Sequence, residues 1–177
     1  IGTHNVVYTD IENTDNYDHI YQSDLCGWVG QLGYNKDSIY GANVFTAEGN
    51  ETLKAASFYA TGKDSQYELY VVRQFEDETS LEKMIPVASG KLGNAGYYTV
   101  DFNQGIEVDA GERYAVVLYI ITPGSVHPMA IEYAADEATE NVDLDDGESY
   151  ISANGSKWVS VDTVEKSNLC IKAFSDN

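Results

Sequence analysis

Along much of the chain, apolar and polar residues alternate in short runs that glycines interrupt. Over residues 67–74 one set of alternate positions is Tyr67, Leu69, Val71 and Arg73, and the other is Glu68, Tyr70, Val72 and Gln74. A period of two belongs to a strand with two unlike faces. Similar runs predict strands at 39–46, 53–59, 86–90 and 129–133, one carrying Tyr98, Val100 and Phe102, and a brief one over 105–110. The run RYAVVLYII at 113–121 is almost wholly apolar and predicts a central strand. Its Tyr114, Val116 and Leu118 would face the core, with Ala115, Val117 and Tyr119 opposite.

Segments 149–152 and 157–161 flank Asn154-Gly155, a strong turn signal, and predict a hairpin. A last strand is expected at 169–174. The polar stretch FEDETSLEKM at 75–84 predicts a loop or short helical turn, and AADEATENVDLDDGE at 134–148 a long acidic loop. No long amphipathic helix is present. About ten short strands with glycine-rich turns predict an all-β fold, a two-sheet β-sandwich. Spacing alone leaves jelly-roll and immunoglobulin-like topologies open.

The 177 residues suit one domain, or at most two small ones. No repeat, linker or run long enough to span a membrane is visible. The chain opens at Ile1 with no visible signal peptide, which reads as a mature form or a piece of a longer protein.

Charge narrows the partners. Twenty-nine acidic residues against ten basic ones give a net charge of -19, which repels nucleic acid and anionic membranes. Clustered carboxylates favour calcium instead. Three stretches could supply oxygens: Asp15, Asp18 and Asp24; Glu48, Asn50 and Glu51; and Asp143, Asp145, Asp146 and Glu148. The last lacks EF-hand spacing and reads equally as a solvated loop. Cys26 and Cys170 would either form one disulfide closing most of the chain or remain two small buried thiols.

No nucleophile, phosphate-loop, dinucleotide or zinc-protease motif occurs, so the chain alone is expected to be non-catalytic. Fourteen tyrosines against five phenylalanines suggest rings half-buried with their hydroxyls in water. Such rings stack on pyranose faces. Tyr17, Tyr21, Trp28, Tyr34, Tyr97 and Trp158 are the candidates for ligand binding, although a protein interface or a core would use the same residues.

The segments DNYDHIYQSD (15–24), GW (27–28), ANVFTAEGNETLKAASFY (42–59), YELYV (67–71), ASGKLGNAGYYTVDF (88–102), GERYAVVLY (111–119), GESYIS (147–152) and CIKAF (170–174) carry a family likeness. Together they resemble the lectin-like domain that follows the papain-like cysteine protease domain in bacterial and archaeal surface proteins, such as the clostridial S-layer-processing protease. The resemblance implies a jelly-roll sandwich similar to carbohydrate-binding modules, possible calcium binding, and an extracellular or cell-surface location. It makes 15–177 the lectin-like domain and 1–14 a linker or the edge of a preceding domain. The function it implies is a non-catalytic accessory domain that binds cell-wall or host glycans and positions an attached protease. The alternatives are a structural domain that packs on or spaces the protease without binding sugar, and a free-standing adhesin module.

Overall fold

The computed structural model describes residues 16–137, 139–145 and 147–177, with the side chain of Asp162 excepted. The regular structure of the described chain is mostly strand. In order it forms β1 (His19–Tyr21), β2 (Gly30–Leu32), β3 (Ser38–Thr46), β4 (Glu51–Ala60), β5 (Ser65–Val72), β6 (Ile85–Leu92), β7 (Gly96–Val108), β8 (Arg113–Ile121), β9 (Met129–Glu132), β10 (Glu148–Ser152), β11 (Val159–Ser160), β12 (Asn168–Leu169) and β13 (Ile171–Asp176). A 3-10 turn, Glu78–Glu82, and a short helix, α1 (Val161–Val164), complete it.

The strands form three antiparallel sheets: β1-β13-β4-β7, β11-β10-β3-β8-β5-β6 and β12-β9-β2. The main core takes Leu53, Phe58 and Phe102 from the four-stranded sheet, Ile39, Leu69, Tyr114, Val116 and Leu118 from the six-stranded one, and Met129, Ile131 and Leu169 from the third. Strand β8 is buried on both sides. Its Tyr114, Val116 and Leu118 enter the main core as expected, while Ala115 and Val117 join a second cluster with Ala42, Val44, Val72, Phe75 and Leu81. That double burial explains why its sequence does not alternate.

Several boundaries differ from the sequence reading, each for a local reason. The pieces around 98–102 and 105–110 are one strand, β7, because Gly105 lets it approach β4. A Cβ there would lie 2.5 Å from Thr52 Cγ2. The expected strand at 169–174 is two, because the chain changes sheet at Cys170: Leu169 pairs with Ile131, and Ile171 with Phe58. Strands β1 and β2 are three residues each, too short for a period to show.

The hairpin forms, with Tyr150 opposite Ser160. Gly155 sits at φ 75°, against the ring of Tyr40. The polar stretch at 75–84 holds the 3-10 turn, capped by Asp77, whose side chain accepts from Thr79 N.

Candidate functional site

The outward side of the four-stranded sheet is built in three cross-strand rows. Phe174, Ala55 and Asp101 are partners in the first, Lys172, Ser57 and Thr99 in the second, and Tyr59 and Tyr97 in the third. Tyr17 lies over the first row: its ring packs 4.9 Å from that of Phe174 and its hydroxyl donates to Asp101 Oδ1 at 2.8 Å. At the far end Trp28, carried by the loop before β2, leans on Tyr59 at 5.8 Å, and Tyr59 meets Tyr97 at 5.0 Å. Trp28 is 37% exposed and Tyr97 45%, so two of the three rings present surface to solvent. The hydroxyl of Tyr97 donates to the buried Ser57 Oγ at 2.5 Å, which fixes the ring in place. The result is a polar floor of serine, threonine and lysine between aromatic ends.

A buried polar lock holds the Trp28 loop to this sheet. Lys172 Nζ lies 3.1 Å from Asp24 Oδ2 and donates to Asp24 O at 3.1 Å and Gln22 Oε1 at 2.6 Å. Asp24 is fully enclosed, and that burial pushes its carboxyl pKa up, partly offset by the Lys172 charge. Fully buried Glu132 accepts from the backbone N–H of Cys26 and, at 3.1 Å, from Asn168 Nδ2. The Asn168 amide also donates to Ser23 O and Asp143 O, each at 2.9 Å. The loop thus rests on three strands, β13 of one sheet and β9 and β12 of another, through charged and amide side chains.

Of the six expected ring residues, the structure joins Trp28 and Tyr97 through Tyr59, which the sequence reading did not single out. Tyr17 shares their sheet face. Tyr21 turns inward: it packs against Phe45 and Tyr114, donates to Glu51 at 2.7 Å, and accepts from Glu48 N at 2.9 Å. Tyr34 packs against the main core, and its partial burial raises its phenol pKa. Trp158 lies on another sheet, edge-on to Tyr40 at 6.2 Å, beside the second cluster. Sequence signals for the missed residues were weak: Tyr59 sits in an ordinary strand pattern, and Lys172 in a strand looks like an exposed position.

The acidic candidates are mostly engaged by donors. Asp18 Oδ2 accepts from the backbone N and Nδ2 of Asn177. Glu51 accepts from Tyr21, Gly49 N and Ser175 Oγ. Burial alone would raise its pKa, but these hydrogen bonds win and the net shift is downward. Asn50 Oδ1 accepts from Ala110 N. Glu48 is exposed and lies 3.6 Å from His19 Nδ1. Asp145 pairs with Lys166 at 2.7 Å, Asp143 Oδ1 accepts from Asp145 N at 3.0 Å, and Glu148 pairs with Arg113. Asp15 and Asp146 lie outside the described residues. Among the described residues no three acidic, cysteine or histidine side chains gather as a metal cage.

Of the two alternatives left open for the cysteines, the disulfide is not formed. Cys26 is an exposed free thiol and Cys170 a buried one. Burial and the neighbouring Asp24 and Glu132 carboxylates push the Cys170 thiol pKa well above its usual range.

The comparisons with known proteins bear on this geometry. The lectin-like domain profile ("Lectin like domain") matches residues 20–175. The chain belongs to the lectin-like domain family. In sequence, no curated protein matches it. Solved structures that share its fold include two of a clostridial protease. One is the clostridial cysteine protease Cwp84 after propeptide cleavage, with a TM-score of 0.75 and 24% identity, covering 94% of this chain and 42% of that one. The other comprises the cysteine protease and lectin-like domains of Cwp84, described as a surface layer associated protein of Clostridium difficile. It has a TM-score of 0.71 and 21% identity, and covers 94% of this chain and 37% of that one. This lectin-like domain therefore spans about two fifths of the chains it resembles. No described helix is long and apolar enough to cross a membrane.

Proposed function

We propose that the chain is a non-catalytic accessory domain of an extracellular or surface protein, and that it binds cell-wall or host glycans on the outward side of the four-stranded sheet. The fold we infer is a jelly-roll sandwich. The observation that carries the reading is the row Trp28, Tyr59 and Tyr97, with exposed rings beside the exposed polar side chains of Thr99 and Gln22. The apolar face of a pyranose stacks on such rings, and polar neighbours take its hydroxyls. By analogy with Cwp84, the domain would position an attached papain-like protease domain.

The test is a glycan array that includes peptidoglycan fragments and secondary wall polymers, probed with the intact domain and with Trp28→Ala and Tyr97→Ala. Binding weakened about tenfold or more by either substitution supports the site, since an aromatic contact is worth roughly 0.5–1.5 kcal/mol beyond its buried area. Binding that both variants retain removes it.

A second reading is favoured by exposed apolar side chains in the same region. Ile20 is 57% exposed and Leu25 70%. Packing against an attached domain would cover them, giving a structural or adhesin role without sugar. Association with a separately produced protease domain, lost in Leu25→Asp, would support that reading. Calcium remains a separate proposal: a higher melting midpoint with calcium than with chelator, abolished by Asp143→Asn, would support it, and equal midpoints would discard it.

A further inference from the structure

The six-stranded sheet carries a second constellation on its own outward side. One cross-strand row runs from Tyr40 on β3 to Tyr119 on β8 and Glu68 on β5, each facing the next in register. The rings of Tyr40 and Tyr119 stack at 4.2 Å and 20°. Trp158 stands edge-on to Tyr40 at 6.2 Å. Tyr70, from the neighbouring row, donates its hydroxyl to Glu68 Oε2 and so holds the carboxylate beside the rings. The three tyrosines are half-buried and Glu68 is exposed.

This grouping has an unmet need. Glu68 makes no ion pair among the described residues, and Lys91 on the adjoining strand is turned to Asp64 at 3.8 Å. Burial raises the pKa of Tyr40 and Tyr70, and the negative charge of Glu68 adds to both shifts. The cluster is therefore a patch of π-faces, phenol oxygens and one uncompensated carboxylate, whose electrostatics favour a cation. In the adjoining row Ile121 lies between its partners Ser38 and Gln66; Gln66 and Ser89 are exposed and Ser38 and Ile121 half-buried, so hydrogen-bonding side chains for hydroxyls lie next to the carboxylate.

We propose that Tyr40, Tyr70, Tyr119 and Glu68 form a binding site for the protonated amine of an amino sugar, separate from the Trp28 and Tyr97 platform. The carboxylate neutralises the ammonium, the rings contribute cation–π attraction, and Gln66 and Ser89 meet adjacent hydroxyls.

The test titrates the intact domain with tetraglucosamine, N-acetylated tetraglucosamine and tetralysine, at a pH where the amines are protonated and at physiological salt. Tetraglucosamine should bind and shift the Tyr119 ring proton signals, and the acetylated form should not. Glu68→Gln should weaken binding about tenfold or more, the scale of a cation–π contact combined with a charge. Glu140→Gln removes one acidic charge elsewhere and should change binding little, as should Tyr97→Ala. Equal binding of the acetylated form, an unchanged Glu68→Gln, or an equal loss in Glu140→Gln overturns the site. Preferential binding of tetralysine that Glu68→Gln abolishes overturns the sugar as its occupant. Because Tyr97→Ala reads only the other platform, failure of the proposed glycan site and failure of this one remain distinct.

Discussion

Lys172 and Phe75 both cover the outward side of a sheet, and they do so by opposite means. Lys172 lies on the four-stranded sheet and is held by Asp24 and Gln22 in a polar lock. Phe75 lies over the six-stranded sheet with Leu81, Val117 and Ala115 in an apolar cluster. The first arrangement leaves rings and polar side chains open beside it. The second covers part of its sheet and leaves the Tyr40, Tyr119 and Glu68 row accessible. Polar covers depend on partners and apolar covers on shape, which decides how each will fail.

The sharpest way to break this comparison is to remove one partner from the lock. Lys172→Met should destabilise the domain by about 3–5 kcal/mol, because it leaves the Asp24 charge enclosed and unpaired. Urea unfolding measures it. A loss of only a few tenths would mean that water reaches Asp24. On the apolar side, Leu81→Ala should cost about 2–5 kcal/mol through the cavity it leaves in the second cluster, read by the same method. If both losses are as expected, adding Asp24→Asn to Lys172→Met should recover part of the first, whereas no polar change should recover the second.

Acid sharpens the contrast further. Hydrogen bonding to Arg73, opposed by burial, holds Glu112 below the ordinary glutamate value of 4.5, and Glu51 is also shifted down. A folded-state pKa below the unfolded one adds stability that is present above the unfolded value and is lost as pH falls through the folded one. Unfolding free energy should therefore fall as the solution is acidified below about pH 4.5. Glu51→Gln should reduce that slope, and an unchanged slope would count against the Tyr21, Gly49 and Ser175 hydrogen bonds as its source.

The smallest expected effect is on stability at the open platform. Trp28→Ala should change stability by only about 0.5 kcal/mol, since the side chain is largely peripheral to the core. A large loss in thermal melting would make Trp28 a structural residue and weaken the glycan reading.

How far the sequence revealed these features depended on their range. The strands with long alternating or apolar runs, β3, β5 and β8, were legible because each repeats its pattern enough times to be counted. The all-β class followed from them. The family likeness reached further, since it drew on segments spread along the chain. Less legible were contacts between residues distant in sequence. Nothing local links Asp24 to Lys172, or Glu132 to Asn168, and tertiary pairing alone makes a lock of them. Tyr21 illustrates the converse: as a tyrosine it was a candidate for a water-facing ring, whereas β1 turns it towards the core, where it donates to Glu51. Trp28 and Tyr97 were legible as residue types, while their meeting through Tyr59 depended on strand register. Nothing local to Cys26 or Cys170 decided between a disulfide and two buried thiols, and in the fold both are free, Cys26 exposed and Cys170 buried.

The pairing of β1 with β13 has a mechanical side. The strands are antiparallel, with His19 opposite Ser175 and Tyr21 opposite Ala173. Tension applied through the chain just before His19 and just after Asp176 acts at one end of this ladder. Its hydrogen bonds are then loaded in succession, as in a zipper, rather than sharing the pull as they would in shear. The ladder should open at low force while the buried β4 and β8 stay folded. Single-molecule stretching across these two points, compared with stretching across Thr46 and Arg113, would show whether the domain has a soft end and a stiff middle.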